Sequence, residues 1–287
     1  MKKFFVLMLA LCMILTLCAC GKKVEEPVAT PEPTEEMIEV PATTEAPVEE
    51  AAPAEEAAEE APAEEAEEAP AEEEEVAVMS YAEYAAAELD SKVCVETYVQ
   101  AHQSWWDNKV TVYSQDKDGA YFLYNMACSE EDAAKLVPGT KIKVTGYKSE
   151  WAGEVEIVDA SFEFVEGDAF VAEAEDVTAL LGTDDLINSQ NKFVAFKGMT
   201  VEKANDDGAA FLYNWDGSGE EGNDLYFNVS KDGKTYSFVV ESYLCGSGTE
   251  VYEAVKALNV GDVIDMEGFL YWYEGVNPHI TSVKAAA

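Results

Sequence analysis

Val137-Pro138-Gly139-Thr140-Lys141-Ile142-Lys143-Val144-Thr145-Gly146 decides the fold, because it is written twice. Val260-Gly261-Asp262-Val263-Ile264-Asp265-Met266-Glu267-Gly268 repeats it with one residue deleted between the leading Val and the first Gly, and the Gly-to-Gly spacing is seven in both. Ile142, Val144 and Tyr147 alternate with polar residues, the period of a half-buried strand. Pro138-Gly139 ends the element before it. The same punctuation before the same strand, more than a hundred residues apart, predicts two copies of one β-domain.

The flanking elements keep the same order in both copies. In the first, Ser80 and Glu83 form a capping-box pattern ahead of a short helix through Leu89. Val93, Val95, Tyr98 and Val99 mark a strand. Val110 to Tyr113 and Tyr121 to Tyr124 make a hairpin around Asp116-Lys117-Asp118-Gly119. Ser129 opens a helix through Val137, and the quoted strand and a fifth, through Val155, Ile157, Ala160 and Phe162, close the copy. In the second copy, helical turns over Val177 to Ile187 precede a strand through Phe193, Phe196 and Val201. Leu225 to Val229 and Tyr236 to Val240 pair around Lys231-Asp232-Gly233. Thr249 to Leu258 is the helix, and the last strand ends near Ile280 and Val283. Gly119 to Asn125 also resembles Gly208 to Asn214, but only the Lys-Asp-Gly alignment preserves element order. It makes residues 203–224 an insertion.

Strand, hairpin, short helix, hairpin resembles the OB-fold, a five-stranded Greek-key barrel with a helix between strands three and four. The expected fold class is mainly β: two tandem OB-fold-like five-stranded barrels, each with a short helix, after a disordered acidic tether. The expected boundaries are 79–168 and 169–287. An immunoglobulin-like sandwich and one continuous barrel are the alternatives, and the mid-domain helices argue against the sandwich.

OB-folds bind ligands on the face of strands two and three, flanked by the loops joining strands one to two and four to five. The resemblance assigns all five Trp to those loops. Trp105, Trp106 and Asp107 lie in the first such loop and Trp151 in the second. Trp215 and Asp216 occupy the enlarged first loop of the second copy, and Trp272 and Tyr273 its last. These eight residues are the candidate ligand-binding set. Indole faces beside Asp, Asn and Glu suit a neutral sugar, whose C–H face stacks while its hydroxyls donate. The same set suits a cation over a ring face. The competing reading has these Trp plugging barrel ends or joining the two copies.

Catalytic signals are sparse. His102 and His279 fall one per copy without metal-ligand spacing, and there is no nucleophile elbow or phosphate loop. Asp116 to Gly119 and Asn205 to Gly208 resemble calcium loops but lack the spaced ligand series, so tight turns are expected there. Residues 216–224, rich in oxygen ligands and glycine, fit a cation loop or a solvated one. No catalytic residue, metal or cofactor is expected.

The N-terminus predicts a location. Lys2 and Lys3 precede an apolar run from Phe4 to Leu17, of signal-peptide length. Leu17-Cys18-Ala19-Cys20 resembles the bacterial lipobox, which implies cleavage after residue 19, lipid on Cys20 and attachment to the outer face of the cell membrane. Cys18 fits less well, since Leu17 directly precedes it. Residues 24–78 contain 21 Glu and no Lys, with prolines breaking Ala-Glu runs, the composition of an extended disordered tether. Residues 1–19 are thus read as leader and 20–78 as anchor and tether.

The chain has a formal net charge of −40 and no arginine. A field this negative, without a bidentate fork for phosphate, argues against nucleic acid as a partner. The expected partners are the membrane, through the lipid, and a glycan or an envelope protein. A carboxylate-dependent hydrolase of envelope polysaccharide is the runner-up function, and a spacer or assembly lipoprotein the third. Outside the leader, Cys94, Cys128 and Cys245 sit in or beside apolar runs, as small buried hydrophobes do.

Overall fold

The computed structural model describes residues 76–286. The leader, Cys20 and the tether through residue 75 lie outside the described residues.

Helix α1 (Tyr81–Ala86) opens with the capping box in place: Ser80 Oγ accepts the Glu83 amide while Glu83 returns a carboxylate to the Ser80 amide. Lys148 Nζ donates to the carbonyls of Tyr84, Ala85 and Ala87, satisfying the acceptors that a short helix leaves free at its C-terminus. Strands β1 (Lys92–His102), β2 (Lys109–Gln115), β3 (Ala120–Ala127), β4 (Lys141–Trp151) and β5 (Glu154–Phe164) close into a barrel in the order β1-β2-β3-β5-β4. The β3–β5 contact is parallel and the others antiparallel. Between β3 and β4, α2 (Glu130–Ala133) is a single turn, shorter than expected. Lys135 and Leu136 bond three residues back, and Pro138 then prevents extension.

The second barrel repeats this order. Strand β6 (Glu175–Asp176) is an edge addition, and the barrel proper comprises β7 (Phe193–Glu202), β9 (Leu225–Lys231), β10 (Lys234–Val240), β11 (Val263–Phe269) and β12 (His279–Ala285). The β7–β9 pairing closes it, and the β10–β12 contact is again the parallel one. Helix α3 (Glu250–Lys256) sits between the third and fourth barrel strands. Strand β8 (Leu212–Tyr213), inside residues 203–224, pairs with Leu225 and Tyr226 of β9 opposite β10, so the second Gly-Ala match belongs to an added strand. The opening of this copy is two 3-10 pieces, Thr178–Leu180 and Asp184–Ser189, because Gly182 between them takes a φ of 75°.

The repeated glycines have a shared cause. Gly139 and Gly261 turn the chain into the fourth strand at φ of 90° and 96°, where a side chain is strained. Gly146 and Gly268 sit where the fourth strand presses on the fifth. A Cβ on Gly146 would lie 2.7 Å from Ile157 Cγ2, and one on Gly268 would strike the His279 carbonyl. A register shift accompanies each. Every seventh-residue pair thus marks a turn followed by a close strand crossing.

Each barrel holds its own core, with Leu123, Ile142 and Ile157 central to one and Phe196, Phe227 and Phe238 to the other. Cys94 and Cys128 are buried and Cys245 half-buried, all as free thiols. Burial pushes the Cys128 and Cys245 thiols up to about 11, which suits packing rather than reactivity. Among the described residues, no helix is long and apolar enough to cross a membrane.

Candidate ligand-binding site at the junction of the barrels

The two barrels belong to one compact unit and meet through a third apolar cluster. Tyr113 and Phe122 of the first barrel pack on Phe269 of the second, with Tyr113 and Phe269 stacked at 4.5 Å. Hydrogen bonds fix the contact. The Phe193 amide donates to Gln115 Oε1 at 2.8 Å, Gln190 Nε2 to the Gly153 carbonyl at 2.8 Å, and Asn191 Nδ2 to the Val155 carbonyl at 3.0 Å. The Tyr113 hydroxyl bonds His279 Nδ1. Burial pushes the His279 imidazole down to about 3, so the ring is neutral.

The corresponding loops after the fourth strands also meet. The turn Ala152-Gly153 in the first barrel has positive φ at both residues, the requirement of a tight two-residue hairpin. The Glu274 amide of the second barrel donates to the Ala152 carbonyl at 2.7 Å, and the Trp151 and Tyr273 rings lie 5.1 Å apart. Beneath them Glu154 Oε2 accepts the Trp272 amide at 2.8 Å and Gln190 Nε2 at 3.2 Å. Glu154 Oε1 and Asn191 Oδ1 are buried without a partner. Burial pushes the Glu154 carboxyl up to about 8.

Above this junction opens a cavity of about 600 Å³. Trp151 and Tyr273 form one wall and Trp215 and Tyr226 another. Phe122, Tyr124 and Tyr271 complete the aromatic lining, and Gln103, Glu241, Asn277 and His279 supply polar atoms. Tyr271 is stacked on His279 at 4.3 Å. Gln103 Nε2 donates to Glu241 Oε2 at 3.1 Å, and the amides of Tyr243 and Leu244 also donate to this carboxylate. Burial, then the nearby Asp224 carboxylate, pushes Glu241 up to about 7, against those donors.

The eight candidate residues divide. Trp151, Trp215 and Tyr273 come together at the cavity. Trp106, 78% exposed, stands over an adjoining hollow. Trp105 turns inward, packs on the first core and donates from Nε1 to the Cys128 carbonyl at 2.9 Å. Trp272 packs on the second core with its indole edge against Gly153. Asp107 and Asp216 are exposed turn residues; Asp107 with Asn108 takes positive φ, and Asp216 Oδ1 accepts the Ser218 amide at 3.0 Å. The other acidic loops bond internally too, as where Asp116 Oδ1 accepts the amides of Asp118 and Gly119. No metal-ligand cluster occurs among the described residues.

In the sequence Tyr124 and Tyr226 read only as hairpin-strand residues, Tyr271 only as a neighbour of Trp272 in the last loop, and Glu241 carries no signal. They join the site because each barrel contributes its second- or third-strand region to the other's loops, a consequence of docking rather than of local pattern.

Fold and connectivity define a tandem OB-fold protein. No family model and no curated protein matches the chain. Solved structures align with about two thirds of the chain at low identity. A murine DNA-binding protein solved with double-stranded DNA is 12% identical, with 68% of this chain and 96% of that chain covered and a TM-score of 0.34. The Ifi202 HINa domain in complex with a 20-base-pair duplex gives 11%, 69%, 100% and 0.33. A replication protein A heterotrimer bound to single-stranded DNA gives 11%, 68%, 49% and 0.27. These complexes correct one expectation: the negative charge and the lack of arginine argue against nucleic acid as a partner, yet chains of similar topology are solved on DNA, so that exclusion is withdrawn.

Proposed function

We propose that the protein is an extracytoplasmic binding module, anchored to the cell membrane through lipid on Cys20, whose junction cavity takes a neutral glycan. The observation that carries this reading is the convergence of Trp151, Trp215 and Tyr273 on one cavity from the end of β4 and two separate loops, with Trp215 75% exposed. Flat apolar rings stack on the C–H faces of sugars. Gln103, Asn277 and the Glu241 carboxylate offer the planar acceptors and donors that hydroxyls need. Glu241 is the one ionisable carboxylate in this lining and no lysine joins it, which fits an uncharged ligand.

Glu241, with its raised pKa, also supports a second reading, a polysaccharide hydrolase. That chemistry needs two carboxyl groups flanking one bond. Glu154, the other strongly shifted carboxylate, is fully buried beneath the junction with Oε2 already bonded to Trp272 and Gln190. Binding is therefore the better supported role. A glycan array probed with the full chain tests it. Retention of neutral glycans, lost in Trp215→Ala, is expected. Retention of none, or retention that Trp215→Ala leaves intact, would contradict the reading.

A further inference from the structure

A second hollow of about 470 Å³ adjoins the junction cavity, and the two share Gln103 and Tyr124 as common walls. Trp106 and Tyr243 stand over it, 78% and 67% exposed. Rings this exposed bury little surface in either core, yet they extend the run of Trp215, Trp151, Tyr273 and Tyr124 along one side of the molecule. An exposed aromatic strip of this kind is what an interaction surface presents.

The ridge between the hollows is rigid and made by both barrels. Gln103 Nε2 bonds Glu241, and Ser104 donates from its amide at 2.8 Å and from Oγ at 3.2 Å to the Tyr243 carbonyl. Trp106 is held by a tight hairpin, exchanging backbone bonds with Lys109 at 3.0 and 2.9 Å around the left-handed pair Asp107-Asn108. The backbone that carries the rings is therefore held before any ligand arrives, which lowers the ordering cost of binding. The second hollow shares with the first aromatic faces beside uncharged polar groups, here Thr111, Asn125 and Ser104, and differs in having Lys109 as its single charge.

We infer that the two hollows are consecutive subsites for one linear neutral polysaccharide crossing the junction of the barrels. Units beyond those held at Trp151, Trp215 and Tyr273 stack on Trp106 and Tyr243. This rests on the glycan reading of the junction cavity. A ligand that must pass over the Gln103–Glu241 ridge gains affinity only when long enough to reach both sides, so binding depends on chain length.

The test is calorimetric titration of the full chain with β-1,4-linked glucose and N-acetylglucosamine oligomers, dimer through hexamer, alongside an oligothymidylate. Affinity should rise with length in at least one series. Trp106→Ala and Tyr243→Ala should each lower hexamer affinity about tenfold, the loss expected of one stacked ring, and leave dimer affinity unchanged. Equal affinity for dimer and hexamer, abolished by Trp215→Ala but indifferent to Trp106→Ala, would overturn the second subsite and keep the junction site. Absence of saccharide binding at every length, with or without capture of the oligothymidylate, would overturn both.

Discussion

Glu154 Oε2, on the first barrel, accepts the backbone amide of Trp272, on the second, at 2.8 Å, and so a buried carboxyl joins the two repeats. Its other oxygen is buried without a hydrogen-bond partner, as is the side-chain oxygen of Asn191. A buried acceptor without a donor is costly, and burial favours the protonated, uncharged form of the Glu154 carboxyl.

Stability should therefore fall as pH rises. Glu154 ordinarily titrates near 4.5 and is raised to about 8 by burial. The folded state holds the extra proton between those values. The contribution is fully present below 4.5 and is lost as pH climbs to about 8. The slope from this group is at most about 1.4 kcal/mol per pH unit. Glu241, raised to about 7, acts in the same direction. Urea unfolding of the full chain at pH 5 and pH 8 checks the sign. Glu154→Gln should flatten the dependence, because an amide does not titrate.

Adjacent tryptophans should behave oppositely. Trp105→Ala removes a ring packed on the first core and its hydrogen bond to the Cys128 carbonyl, at a cost of about 3 kcal/mol. Trp106→Ala removes an exposed ring and should change stability by less than about 0.5 kcal/mol. Chemical denaturation of both variants decides. Equal losses would contradict the two placements.

Gly268→Ala should destabilise the second barrel by about 1–3 kcal/mol, since the added methyl meets the His279 carbonyl across β11 and β12. Gly233→Ala, in a turn with open space, keeps only the backbone strain of φ 77° and should cost about 1 kcal/mol. Thermal melting ranks the two.

Cys20→Ala should leave an unprocessed, unlabelled precursor in cells fed a labelled fatty acid, whereas Cys18→Ala should process and label normally. Label persisting on the Cys20→Ala chain would contradict the anchor assignment.

The barrels were legible because their signals are local. Gly139, Gly146, Gly261 and Gly268 mark a turn and a close crossing twice, and hairpin turns at Asp118-Gly119 and Asp232-Gly233 fix the register of the strands beside them. The site was legible only in part. Loop position alone did not distinguish Trp106 from Trp105, since the difference is set by which ring reaches the Cys128 carbonyl. Nor did it distinguish Trp151 from Trp272, because Trp272 turns onto the core of its own barrel and against Gly153 of the other, while Trp151 stays open. Glu241 and Tyr226 were invisible for the same reason: they acquire a role only when one barrel is set against the other.

The most direct test is the affinity of the intact chain and of Trp215→Ala for the N-acetylglucosamine and glucose hexamers, measured with the melting temperature of each protein. Trp215 is exposed and outside both cores, so its loss should leave melting unchanged. A stacked ring at a binding site contributes about 1–3 kcal/mol. The account predicts binding of at least one hexamer by the intact chain and binding at least about fivefold weaker by the variant. No binding by the intact chain, or equal affinities for the two proteins, would contradict it.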